Sequence, residues 1–263
     1  MQPDVARFAR VCSYDRAGDG WSDWGPHPRT HHQIVYELHT LLTRAGERPP
    51  FILVGHSYGG WLVRLYQITY PQDVAGMVLV EAGADDPWRM LPDGKLVRLS
   101  TLVTGQPVPP VKTSGPLRFE DIPAPALAQI QSGLAEARAT ANDPPRNLLP
   151  LEAQRMRTWA LGRIGHVVAA VNPVEAEELA GLRAHDQGDH PLGDLPLIVI
   201  TRGLAEEPGP GGAAREAEHR QDHAALAALS RRGKQIIAEK SAHHVQLQQP
   251  DLVSSAIREV WRP

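Results

Sequence analysis

The sequence predicts an α/β fold in which a mostly parallel sheet carries helices on both faces. Two observations support this fold class. Short apolar segments with strand character alternate along the chain with longer segments whose apolar residues repeat at helical spacing. The strand-like segments at 51–54, 76–81 and 195–201 are apolar almost throughout, as is typical of parallel strands that are buried on both faces. Strands and helices that alternate in this way form a parallel sheet.

The first part of the chain predicts a short strand, two helices and the first buried strand of the sheet. A strand is expected at 11–14, before a turn-rich loop. The apolar residues of 30–45 repeat at helical spacing, with Thr30 as the N-cap and Gly46 as the stop. The strand at 51–54 leads directly into the second helix.

The pattern changes between about 83 and 193, where prolines cluster and no strand is convincing. Helical spacing recurs within this segment at 124–140, 151–170 and 173–184. The sheet pattern then resumes with strands at 195–201 and 234–238 and helices at 213–230 and 250–261. We therefore expect a core domain built from residues 1–82 and 194–263, with residues 83–193 inserted as a helical cap.

Composition narrows the range of functions. The chain has 263 residues and a net charge of -3, which gives no electrostatic reason to expect nucleic acid or an anionic membrane as a partner. Its single cysteine, Cys12, excludes an internal disulfide and a cysteine-based metal cage, and we expect it to be a small core residue. No apolar stretch is long enough for a membrane span, and no signal peptide is visible, which favours the cytoplasm. The phosphate-binding glycine motifs are absent, so no nucleotide cofactor is expected.

The sequence G-H-S-Y-G at 55–59 lies between a predicted strand and a predicted helix. This is the pattern of the turn that lifts a nucleophilic serine, here Ser57, to the end of a strand and the start of a helix. Glycines are expected on both flanks because a Cβ there would collide with neighbouring backbone. The backbone N–H of Tyr58, at the helix N-terminus, is a candidate oxyanion-hole donor.

With these motifs, the chain resembles the α/β-hydrolase family, in particular its bacterial ester-hydrolase-like members, over nearly its whole length. The resemblance also includes C-S-Y-D-R-A-G at 12–18 and S-A-H-H-V-Q-L at 241–247. It implies that the cap covers the active site and that the strand at 11–14 is the fourth of eight, so that N-terminal strands are missing. Two explanations remain open: either 11–14 pairs directly with 51–54, or the chain is a shortened version of a longer protein. An exposed sheet edge would favour a homodimer.

Ser57 requires a base, and His243 is the first candidate. It follows the last predicted strand, which brings it to the same sheet edge as Ser57 in the chain order that this fold uses. His244 is the alternative, although Ser-Ala-His243 matches the family pattern better. His219 and His223 have the i, i+4 spacing of metal ligands, but a solvated helix face is expected there and no metal site is predicted.

The third member of the triad is less well determined by the sequence. Glu81 ends the strand beside the nucleophile strand and is preferred, because its carboxylate is expected near the imidazole of His243. The site that is commoner in the family corresponds to Glu206, and Asp85 and Asp86 also remain open.

The predicted function is a serine hydrolase that cleaves a carboxylic ester or related acyl bond of a small molecule through an acyl-enzyme. One alternative is acyl transfer or perhydrolysis with the same triad. The other is a shortened hydrolase with impaired or no catalysis, because the second oxyanion donor of the family would lie after a missing strand.

Overall fold

The fold is described from a computed structural model of the chain. It describes residues 1–91, 93–113, 115, 134–136, 138–163, 165, 172–206 and 211–261. These residues divide into two compact units. The first contains Met1–Val11, His39–Pro107 and Val174–Pro263, and the second contains Cys12–Leu38 and Val108–Pro173. Most of the helix predicted at 124–140 lies outside the described residues. The expected cap at 83–193 stays a prediction.

The helices and strands follow the predicted order closely. The strands are β1 (Phe51–His56), β2 (Val74–Val80), β3 (Trp88–Met90), β4 (Leu96–Arg98), β5 (Leu197–Arg202) and β6 (Gly233–Ala238). The helices are α1 (Gln2–Val5), α2 (His31–Arg44), α3 (Tyr58–Thr69), α4 (Leu151–Leu161), α5 (Glu175–His185), α6 (Gly212–Ala228), α7 (Val245–Gln248) and α8 (Pro250–Trp261). The predicted cap of α2 is confirmed, because the backbone N–H of Gln33 donates to Oγ1 of Thr30 at 3.1 Å.

The sheet of the first unit is parallel, with strand order β1-β2-β5-β6. In this register His56 lies opposite Val80, and Val80 lies opposite Ile200. The carboxyl ends of these strands therefore meet at one edge, which confirms the predicted α/β class and brings the candidate site residues to the same side of the sheet.

Helices cover both faces of this sheet. Helix α8 packs on the face that contains Val78, Val80, Ile198 and Ile200. The opposite face carries helix α6, whose buried His223 contacts Thr201 of β5. All six residues of β5 are buried. Because helices cover both faces of the sheet, its strands have nearly continuous apolar sequences.

Helix α5 and the small β3–β4 hairpin also belong to the first unit. Leu179 and Leu182 of α5 form an apolar cluster with Trp61 of α3 and with Leu99. Strands β3 and β4 pair antiparallel, with Trp88 opposite Arg98. The sequence predicted no strand between 83 and 193, and β3 and β4 show that this prediction was wrong. Strands of three residues are too short to produce a recognisable alternation.

The second unit is held by polar and aromatic contacts. Arg29, which is buried, forms two hydrogen bonds of 2.6 and 2.7 Å with the carboxylate of Glu37. The rings of Trp21 and Trp159 lie 4.8 Å apart. None of the helices in the described part of the chain has the length and apolar character that a membrane span needs.

Two predictions for the N-terminal region are wrong. Residues 11–14 form no strand, and Cys12 is exposed rather than part of a core. Local strand propensity does not produce a strand unless a neighbouring strand accepts its backbone hydrogen bonds. Within the described residues β1 pairs with β2 alone. That N-terminal strands of the family are missing stays a prediction.

Candidate active site

Ser57 occupies the turn between β1 and α3 in a strained backbone conformation. Its φ and ψ angles are 52° and −121°, which a non-glycine residue rarely adopts. The backbone N–H of Ser57 donates to the carbonyl oxygens of both Val80 and Glu81, each at 3.1 Å. The turn is therefore fixed to the end of β2. Tyr58 is the first residue of α3, so its backbone N–H lies at the helix N-terminus, as expected.

The glycines of this turn differ in the space that a Cβ atom would have. A Cβ on Gly55 would lie 2.4 Å from the carbonyl oxygen of Gly59, which confirms the expected collision on this flank. A Cβ on Gly59 would meet nothing within 4 Å among the described residues, so the collision expected there was wrong. Gly60 is the restricted position instead, because a Cβ there would lie 2.4 Å from Cβ of Ala82.

Glu81 follows β2 directly, and its carboxylate is completely buried. The residue has a φ of 46°, a second strained position at the same edge of the sheet. Oε1 accepts hydrogen bonds from the backbone N–H of Arg202 at 2.6 Å and from Nε2 of His219 at 3.0 Å. Oε2 accepts from Nη1 of Arg202 at 2.9 Å and lies 3.3 Å from Nδ1 of His243. Each oxygen therefore has two donors.

Burial and hydrogen bonding act on the pKa of Glu81 in opposite directions. Burial is the largest single influence and raises the pKa. Hydrogen bonds from His219 and His243, the charge of His219 and the backbone N–H of Arg202 lower it. Together they hold the pKa well below its ordinary value, so the carboxylate is ionised at neutral pH.

His243 lies in the loop after β6 and is held at three points. Its imidazole meets Glu81, its backbone carbonyl accepts a hydrogen bond from Nε2 of His56 at 2.8 Å, and its backbone N–H donates to Oε1 of Glu206 at 3.1 Å. His56 is the residue before Ser57, and its ring centroid lies 4.7 Å from that of His243. The loop of His243 is therefore attached to the nucleophile turn.

The competing acids have other partners. The side chain of Glu206 reaches the backbone of His243, as described, rather than its imidazole. Asp85 forms an ion pair with the buried Arg64. Asp86 accepts hydrogen bonds from the backbone N–H and the hydroxyl of Ser100, at 2.8 and 2.7 Å. Of the four carboxylates that the sequence left open, the structure brings Glu81 to the imidazole of His243.

The serine and the imidazole are not joined directly. Among the described residues the structure records no hydrogen bond from the hydroxyl of Ser57 to His243. Such contacts are often long before a substrate is bound and tighten in the reacting complex.

Burial of His56 lowers its pKa to about 4, and the neighbouring His243 adds to this effect. His56 is therefore neutral at pH 7.

The sequence did not point to Arg202, and His219 and His223 were noticed but expected on a solvated face. Arg202, at the end of β5, is buried and also pairs with Glu216 at 3.1 Å. His219 is largely buried and His223 is completely buried, so the expected solvated face of α6 was wrong. A charged residue directly after an apolar strand, at the predicted catalytic edge, was the available signal for Arg202.

Glu81, His219 and His223 place three ligand-type atoms within 4.8 Å of one another. The surroundings do not suit a cation. Both ring nitrogens of His223 are engaged, one with Thr201 and the other with the carbonyl of Ala82, each at 2.9 Å. Nη1 of Arg202 lies 3.0 Å from Nε2 of His219, so a positive charge already occupies this position. The cluster is better described as a hydrogen-bond network around one carboxylate.

Comparisons with known proteins agree with this fold. The sequence model described as "Alpha/beta hydrolase family" matches residues 2–256. The chain is similar to the YqjL protein of Bacillus subtilis, with 26% identity over 99% of this chain and 76% of that protein. It is equally similar, at 26% identity, to an AB hydrolase superfamily protein of Gibberella zeae, over 95% of this chain and 77% of that protein. A solved hydrolase structure from Pseudomonas aeruginosa shares the fold, with a TM-score of 0.61 and 18% identity over 99% of this chain and 83% of that one.

Proposed function

Because this chain belongs to the alpha/beta hydrolase family, we propose that it is a serine hydrolase that cleaves a carboxylic ester or a related acyl compound. The observation that carries the proposal is the contact between Nδ1 of His243 and the buried, ionised carboxylate of Glu81, beside the strained turn of Ser57. The proposed nucleophile, base and orienting acid lie at the same edge of the sheet, which supports this assignment.

In the proposed reaction the hydroxyl of Ser57 attacks the carbonyl carbon of the substrate, and Nε2 of His243 takes the hydroxyl proton. The tetrahedral intermediate collapses, and the imidazolium gives its proton to the departing alcohol. Water then attacks the acyl-enzyme with His243 again as base, which releases the acid and regenerates Ser57. Glu81 keeps the proton of the neutral imidazole on Nδ1 and stabilises the imidazolium without taking its proton.

The developing oxyanion requires hydrogen-bond donors. The backbone N–H of Tyr58 is the proposed first donor, since it lies at the N-terminus of α3, where aligned peptide dipoles favour negative charge. The loss of one oxyanion donor costs about 10²–10³ in rate in other hydrolases. The rate of this protein therefore depends strongly on whether a second donor completes the site.

A fluorophosphonate probe tests the proposal directly, because it reacts readily with the activated serine of a serine hydrolase and not with an ordinary serine. We expect stoichiometric labelling of the peptide that contains Ser57, measured by mass spectrometry. Ser57→Ala and heat-denatured protein are the controls and should remain unlabelled, while His243→Gln should label at least tenfold more slowly. A folded wild-type protein that is not labelled at Ser57 would refute the proposed function.

A further inference from the structure

Helix α6 contributes a second histidine to the candidate triad. His219 and His243 contact different oxygens of the Glu81 carboxylate, Oε1 and Oε2 respectively. His219 is also the closer of the two, at 3.0 Å against 3.3 Å. Its side chain is 17% exposed.

The direction of the hydrogen bond follows from the charge on Glu81. An ionised carboxylate only accepts hydrogen bonds, and we therefore assign to Nε2 of His219 the hydrogen that it shares with Oε1. The same nitrogen lies 3.0 Å from Nη1 of Arg202, which is itself a donor. The N–H groups of His219 and Arg202 are both attracted to the carboxylate of Glu81, and this attraction compensates for their mutual repulsion.

The carboxylate needs a constraint of this kind. Rotation of a glutamate about its last side-chain bond is soft, so burial alone does not fix the plane of the two oxygens. Arg202 donates to both oxygens, through its backbone N–H to Oε1 and through Nη1 to Oε2, the oxygen that also faces His243. His219 adds a second donor on Oε1, which further opposes rotation of the plane and helps to keep Oε2 directed at Nδ1.

His219 is itself held rigidly. Its ring centroid lies 4.2 Å from that of His223, one helical turn further along α6. His223 is completely buried, and hydrogen bonds to Thr201 and to the carbonyl of Ala82 fix its ring. His223, on which the ring of His219 packs, is thus attached to the ends of β2 and β5. The same strand ends carry Glu81 and Arg202.

We propose that His219 is a positioning residue of the triad: it donates a hydrogen bond to Oε1 of Glu81 and thereby directs Oε2 toward Nδ1 of His243. The proposal rests on the proposed function for its kinetic consequence, but the geometry that it asserts exists independently of turnover. His219 does not touch the reacting atoms and acts through Glu81.

Two substitutions separate the donor from the rest of the side chain. His219→Gln keeps an N–H donor of similar reach, whereas His219→Leu keeps the bulk and removes the donor. Gln221→Leu, at an exposed position of the same helix, is the matched control and should keep the wild-type kcat within twofold. The readouts are kcat and KM for an activated ester such as p-nitrophenyl acetate, and the ¹⁵N chemical shifts of histidine-labelled protein, assigned with His243→Gln.

We expect His219→Leu to lower kcat about tenfold, the effect of one hydrogen bond, while KM changes less than twofold. The ¹⁵N shifts should show that His243 loses its preference for the Nδ1–H tautomer. His219→Gln should stay within threefold of the wild type in kcat and keep this tautomer. The proposal is refuted if His219→Leu leaves both readouts unchanged, or if His219→Gln and His219→Leu reduce them equally.

Failure of the proposed function is recognised separately. If the wild type neither hydrolyses the ester nor reacts with a fluorophosphonate, the hydrolase assignment is wrong. The tautomer of His243 in His219→Leu and His219→Gln still decides the role of His219.

Discussion

Glu81→Gln is the substitution that most directly tests the assignment of the acid. Four donor groups converge on the two oxygens of Glu81, at 2.6, 2.9, 3.0 and 3.3 Å. A glutamine offers one acceptor oxygen and replaces the other with an amide group that is itself a donor. Two of the four donors therefore lose their acceptor, and Arg202 keeps Glu216 as its one remaining carboxylate among the described residues.

The expected cost in stability follows from this count. A buried donor that loses its acceptor costs about 1–3 kcal/mol, so two such donors cost about 2–4 kcal/mol after partial relaxation. For a chain of this length, that corresponds to a decrease in melting temperature of roughly 5–15 °C. The variant should remain folded at 25 °C, because domains of this size are typically stable by about 5–15 kcal/mol.

The effect on activity should be larger than the effect on folding. An amide in place of the carboxylate no longer keeps the hydrogen of His243 on Nδ1, and loss of the correct tautomer costs up to about 10⁴ in kcat in a related triad. We expect kcat for an activated ester to fall at least tenfold, measured at 25 °C on protein whose fold is verified by circular dichroism.

Glu206→Gln is the matched control. Glu206 accepts the backbone N–H of His243 through Oε1, and a glutamine oxygen can accept the same bond. This variant should keep kcat within about threefold. The assignment of Glu81 is wrong if Glu206→Gln abolishes activity, or if folded Glu81→Gln retains the wild-type rate.

Further predictions concern the nucleophile turn and the response to acid. Gly60→Ala should destabilise the protein by at least about 1 kcal/mol in urea unfolding, because the new Cβ would lie 2.4 Å from Cβ of Ala82. Gly59→Ala is the control and should be tolerated. A larger loss of stability in Gly59→Ala than in Gly60→Ala would contradict the geometry. Burial, aided by a neighbouring histidine, lowers the pKa of His56 and of His223 to about 4. In the unfolded chain the pKa of a histidine is about 6.5. The contribution of each histidine to the free energy of unfolding is therefore complete above pH 6.5 and decreases by up to about 3 kcal/mol as the pH falls toward 4. The free energy of unfolding should therefore decrease between pH 6.5 and 4, and His223→Gln should flatten this slope; an equal slope in both proteins would exclude a contribution from His223.

Much of the fold could be predicted because its strands are buried on both faces. Apolar segments separated by helical periodicity predict the positions of β1, β2, β5 and β6 along the chain without any tertiary information. The strand expected at 11–14 failed for the opposite reason. A strand exists only where another strand accepts its backbone hydrogen bonds, and local sequence does not report the neighbour.

The candidate site could be predicted in part. Ser57 and His243 follow from motif and chain order, and the preference for Glu81 came from its position at a strand end. The hydrogen bonds that Glu81 accepts from Arg202 and His219 were not foreseen, and the contact with His219 joins positions 138 residues apart in the sequence. The i, i+4 pair on α6 was noticed, but a solvated face and a buried face have the same spacing. Packing against β5 decides between them.

The buried ion pairs around Arg202 also determine how charge is distributed during the proposed reaction. Arg202 bridges Glu81 and Glu216. When His243 takes the proton of Ser57, the imidazolium forms beside the ionised carboxylate of Glu81 at the strand ends. The negative charge on the substrate oxygen develops instead at the N-terminus of α3. Two opposite charges formed in one step would thus be stabilised by different elements of the fold, the positive one by β2 and β5 and the negative one by a helix.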